Sequence, residues 1–71
     1  MKLHIVIRND YASDDYIKVK AFKDLKTTKK YLNKIGKKTR IDNFADMVID
    51  EKYYSDASGI DISYHTTNLE V

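Results

Sequence analysis

Two histidines, four serines and a scatter of carboxylates are the residues of this chain with the chemistry for catalysis or metal binding. Their spacing argues against either use. His4 and His65 stand near opposite ends of the chain, with Asp61 near the second. Zinc-type sites draw paired histidines from one short motif, which is absent, so no metal and no cofactor is expected. Ser13, Ser55, Ser58 and Ser63 lack the glycine-flanked elbow that exposes a nucleophile. Asp14–Asp15 and Asp50–Glu51 are adjacent pairs, and neighbours on a strand point to opposite faces, so neither works as acid and base together. Two glycines in 71 residues leave no phosphate-cradling loop. A domain this small also struggles to enclose the roughly 300–1,000 Å³ that small-ligand sites use. The chain is expected not to be an enzyme.

Charge is more informative. The net value of +2 hides a strong division along the sequence. Lys18 to Arg40 holds ten basic residues and one acid, whereas Ile41 to Val71 holds seven acids and one lysine. Lys26, Lys29, Lys30, Lys34, Lys37, Lys38 and Arg40 could track a phosphate backbone, with Tyr31 as a stacking candidate. Against this, the chain has two arginines, and arginine is the usual reader of base edges. In the acidic half, Asp46, Asp50 and Glu51 precede Tyr53 and Tyr54, an acidic and aromatic patch suited to a basic partner surface.

The element that must carry the lysines is Asp24–Gly36. Leu25, Thr28, Leu32 and Ile35 fall on one stripe of a helix, Asp24 is placed to cap its first turn, and Gly36 stands where a left-handed C-terminal cap would be. Before it, Leu3, Ile5 and Ile7 alternate with His4, Val6 and Arg8, and Ile17, Val19 and Ala21 alternate with Lys18 and Lys20. These runs predict a hairpin with the first set of each facing the core and a polar loop over Asn9–Asp15. Residues 44–54 read as a strand over Met47–Tyr54, although Ile41, Phe44, Ala45 and Val48 also have helical spacing. Ser55–Gly59 reads as a turn, Ile60, Ile62 and Tyr64 as the inward face of a last strand, and Thr66–Val71 as a frayed tail.

The expected fold is therefore α+β, ββαββ: a four-stranded, mainly antiparallel sheet in the order 2-1-3-4 with one amphipathic helix on one face. Residues 1–71 form one domain without linker or repeat. The open face would carry His4, Val6, Arg8, Lys18, Lys20, Asp50, Lys52, Tyr54, Asp61, Ser63 and His65. With about fifteen buriable side chains, each worth ~1.5–3 kcal/mol, set against ~1–2 kcal/mol of backbone entropy per residue, the core is small, and homodimerisation is one way to enlarge it. No cysteine, signal peptide or membrane-spanning run is present, which points to the cytoplasm and away from membranes.

The start Leu3-His4-Ile5-Val6-Ile7, the strand end Val19-Lys20-Ala21-Phe22 and the helix Leu25–Ile35 resemble short phage- or prophage-encoded proteins with a leading hairpin and one lysine-rich helix. In size and lack of motifs the chain also looks like anti-CRISPR proteins. That resemblance implies a non-catalytic binding protein that inhibits a host protein or nucleoprotein complex by surface occlusion, in the host cytoplasm. The alternative is a small nucleic-acid-binding regulator using the lysine face.

Overall fold

Alternating β-branched residues favour an extended backbone, and two strands result: β1 (Lys2–Asp10) and β2 (Tyr16–Phe22). They are followed by α1 (Leu25–Gly36), α2 (Phe44–Glu51), β3 (Tyr53–Ser55) and β4 (Ile60–Asn68). The computed structural model describes residues 1–10, 16–37, 39–57 and 59–68; of the loop expected over Asn9–Asp15, Asn9 and Asp10 belong to β1, and residues 11–15, Ser58 of the expected turn and the last three residues lie outside the described residues.

The fold is α+β with an antiparallel four-stranded sheet, but the order is β2-β1-β4-β3 and there are two helices, ββααββ rather than ββαββ. Strand length explains the order. β1 has nine residues, and β4 matches it in full, from Lys2 opposite Asn68 to Asp10 opposite Ile60. The three residues of β3 could not satisfy the backbone of β1, so β3 takes the edge, where a short strand is harmless. The same pairing carries β4 through Asn68, into the region expected to fray.

Asp24 caps α1 as expected, its carboxylate accepting from the Thr27 amide at 2.6 Å. That bond, first, holds the Asp24 carboxyl below its ordinary 3.8. Gly36 is not a left-handed cap. The helix runs through it, Lys37 follows in a right-handed conformation, and the Gly36 α-carbon lies against Phe44. The glycine is there for close approach of two helices rather than for a turn.

Met47–Tyr54 is not a strand over most of its length. The helical spacing of Phe44, Ala45 and Val48 wins, and all three are buried. Neither Asp42 nor the N-cap Asn43 supplies a side-chain cap to α2. Its Ala45 amide instead donates to Oδ1 of Asn33 on α1, at 3.1 Å. A cap borrowed from another helix leaves no local signal. The helix ends on Lys52, in the left-handed region at φ 64, whose amide returns to the Val48 carbonyl.

The core lies between the helices and one sheet face: Val6, Leu32, Ile35, Phe44, Ala45, Val48, Ile62 and Tyr64. Val6 and Tyr64 are direct partners, so this face of β1 also carries His4 and Arg8. Leu3, Ile5 and Ile7 consequently face away from both helices, and pairing with β2 turns Ile17, Val19 and Ala21 away with them. The expected orientation of the hairpin is thus inverted, while that of β4 is as expected. β4 decides the matter, because only its Ile60, Ile62 and Tyr64 face is apolar, and β1 must join that face in register.

Candidate interaction surface

The open face of the sheet divides into two halves. On β1, Leu3, Ile5 and Ile7 are half-buried by their neighbours. On β2, Ile17 is 62% and Val19 59% exposed, and Ala21 is exposed beside them. Beyond β1 the rows turn polar. Ile5 faces His65, Ile7 faces Ser63 and Asn9 faces Asp61, with Tyr53, 55% exposed, opposite Ser63 on the far edge. The aliphatic side chains form a contiguous surface on two neighbouring strands, rimmed by polar side chains. From strand spacing and rise, the whole face projects to roughly 450 Å². Among the described residues β2 pairs only with β1, so its outer edge is open too.

The two histidines fall on opposite faces. His4, expected outward, is buried, with Nδ1 2.6 Å from the Tyr64 hydroxyl and its ring stacked on that of Tyr64 at 6.0 Å. Burial pushes the Tyr64 phenol above its ordinary 10.0. His65 is exposed on the open face, 3.2 Å from the Ser63 hydroxyl, and Asp61 accepts from Ser55 at 2.6 Å. Among the described residues no group of three metal-ligating side chains converges. The buried His4–Tyr64 pair is the feature that residue-by-residue reading misses, because histidine next to Arg8 makes the even positions of β1 look solvent-facing.

The acidic and aromatic set is spread over three surfaces. Asp46 and Asp50 are exposed, one turn apart on α2, and Glu51 is exposed at its end. Asp46 pairs with Lys29 at 2.9 Å. Tyr53 lies on the open face of the sheet, whereas Tyr54 turns to the core, its ring edge-on to Phe44 at 4.9 Å. The Tyr54 hydroxyl donates to Asp56 at 2.9 Å. Burial, then the Asp56 hydrogen bond and charge, raise its phenol above 10.0.

Lys26, Lys30, Lys34 and Lys37 are exposed along α1 and just after it. Lys29 is half-buried in its pair with Asp46, Arg40 is exposed with φ 59, and Lys38 lies outside the described residues. Tyr31 is half-buried and packs on Phe22 at 5.3 Å, which occupies part of the ring that would stack on a base. The lysine face and the aliphatic face are therefore on opposite sides of the molecule.

Shallow depressions also open among the described residues. One of about 420 Å³ is an open groove lined by Lys2, Ile49, Lys52, Tyr64, His65 and Thr66. Another, of about 240 Å³, lies on the helix side between α1 and the hairpin. No helix among the described residues is long and apolar enough to cross a membrane. No family model matches the chain, and the comparisons with curated proteins and with solved structures found no match.

Proposed function

We propose that this chain is a non-catalytic binding protein that inhibits or modulates a macromolecule of a host cell by covering part of its surface, and that it docks through the open sheet face. One observation carries the reading: Ile17 and Val19, the most regularly alternating aliphatics of β2, stand outward beside Leu3, Ile5 and Ile7. Ile17 and Val19 are 62% and 59% exposed, and leaving that much of each in water forgoes ~1–2 kcal/mol that inward placement would recover. A partner recovers it on binding. The partner this surface suits is a protein with an apolar patch or an extended segment that adds to the β2 edge. In the phage-like reading that partner belongs to the host, a defence complex such as a CRISPR effector being one class.

The alternative, nucleic-acid binding through Lys26, Lys30, Lys34 and Lys37, draws support from their exposure along one side of α1. A photo-crosslinking residue placed at Val19 or at Lys30 separates the two in nuclease-treated and untreated bacterial lysate. The occlusion reading expects a protein adduct from position 19 that survives nuclease. Adducts from position 30 alone, lost with nuclease, would replace it with the nucleic-acid reading.

A further inference from the structure

The sheet has two edges, and they differ. β3 ends one side with three residues, whereas β2 presents seven on the other and pairs only with β1 among the described residues. A strand bonded on one side turns every second N–H and C=O outward, so β2 presents a row of donors and acceptors to an incoming strand. Its side chains say what kind of strand that is. Ile17, Val19 and Ala21 are exposed on the open face of the sheet. Lys18 and Lys20 stand on the side that faces the helices, Lys20 directly opposite Val6 of β1. Lys18 is engaged within the chain, so the exposed Lys20 is the charge that an added strand meets. Side chains of that strand fall beside those of β2 on the same face. Aliphatic residues are therefore matched on the open side and a carboxylate on the other.

A second copy of this chain does not meet that demand. The two-fold antiparallel register that pairs all seven residues of β2 sets Lys18 opposite Lys20. Sliding one copy by two residues sets Lys18 against Lys18 or Lys20 against Lys20. Like charges directly opposite each other destabilise a strand pair. The lysines thus guard the edge against self-pairing and leave it open to an acidic segment. We propose that β2 takes up an extended segment of the partner protein as a fifth strand, its side chains alternating between aliphatic on the open face and acidic beside Lys20. Main-chain hydrogen bonds supply the affinity of such an addition, and the alternate side chains its specificity. The inference rests on the occlusion reading and names the segment by which that partner docks.

The test is an NMR titration of the isotopically labelled full chain at constant ionic strength. Its probes are the capped peptide Thr-Val-Glu-Val-Glu-Val-Thr and a counterpart carrying lysine for glutamate. The acidic peptide should give saturable shifts centred on β2, and the lysine peptide should bind roughly fivefold more weakly or worse. Hydrogen exchange should slow at alternate amides between Ile17 and Phe22, those that β1 leaves to the outer edge. Lys20→Glu replaces an attractive cross-strand pair with a repulsive one and should reverse the preference between the peptides. Lys52→Glu, the same charge change beside the opposite edge, should not. Both lysines are exposed, so both variants should fold. No binding of the acidic peptide at millimolar concentration, or an equal response to the two substitutions, would overturn the proposal. Shifts of Leu3, Ile5 and Ile7 without protection of β2 amides would overturn it too, while leaving the occlusion reading in place. Protection that needs no peptide and grows with protein concentration would give the edge to a second copy instead. The occlusion reading fails on a different result, the absence of a protein adduct from position 19.

Discussion

Gly36→Ala is the substitution for which two well-known effects oppose each other and the structure decides the sign. In a helix, alanine is favoured over glycine by ~0.8–1.0 kcal/mol. Here the new methyl would lie 2.5 Å from both Cβ and Cγ of Phe44. Carbon atoms pack best at ~3.5–4.0 Å, so roughly 1 Å or more must be found. The two clashing atoms are the root of the Phe44 side chain, and a rotamer change does not move a Cβ. Phe44 is itself only 1% exposed. The separation must come from moving α2, which strains the Asn33–Ala45 hydrogen bond and the edge contact of Phe44 with Tyr54. Overpacking of this kind costs ~1–3 kcal/mol, and the immovable neighbour puts it at the upper end. After the propensity gain the net loss is about 1–2 kcal/mol. In a domain of this size that lowers Tm by roughly 5–15 °C. Thermal denaturation followed by circular dichroism reads it, with Lys34→Ala on the same helix as the control. A Gly36→Ala variant as stable as the parent, or more so, would refute the close packing of α1 on α2.

Lys52→Gly should stabilise the fold by up to about 1 kcal/mol, since φ 64 is strained for lysine and free for glycine, less the extra freedom glycine has when unfolded; urea midpoints measure it. Tyr64→Phe removes the partner of buried His4 Nδ1 and should cost ~1–3 kcal/mol by the same assay. Because burial raises the folded value of the Tyr64 phenol, its contribution is complete below pH 10.0 and is lost as pH rises through that higher value, so the variant should lose less stability on alkaline titration than the parent. Asn33→Ala takes the acceptor from the Ala45 amide and should cost about 0.5–1 kcal/mol net of alanine's better propensity; faster hydrogen exchange confined to the first turn of α2 is its signature.

Much of the architecture is written locally. Asp24 three residues before Thr27 is a cap wherever it occurs, and the stripe of Thr28, Leu32 and Ile35 needs only the helical period to be found. Strand alternation is equally local, but it names two faces without saying which one is covered. For β4 polarity settles it; for β1, whose Val6 and Ile5 are equally apolar, only the register with β4 does. The sheet order depends on matching strand lengths, and α2 on a cap from Asn33, both of them long-range facts. The acidic and aromatic set was legible as residue types only. Alternation on β3 sends Tyr53 and Tyr54 to opposite sides, so they cannot share one patch with Asp46 and Asp50. The helix-side depression likewise joins Arg8 to Lys34 only once the hairpin has turned its even positions toward α1.

The orientation of the hairpin underlies the open aliphatic face, and a pair of substitutions tests it in one urea-denaturation experiment. Val6 is fully buried between the sheet and the helices, so Val6→Asp places an unpaired carboxylate in the core, at a cost of several kcal/mol that a domain of this size does not survive. Val19 is 59% exposed on the far face, so Val19→Asp should leave the unfolding midpoint within the range of ordinary surface changes, ~0.5 kcal/mol. A folded Val19→Asp beside an unfolded Val6→Asp is the predicted result. The reverse, an unfolded Val19→Asp and a stable Val6→Asp, would contradict the account.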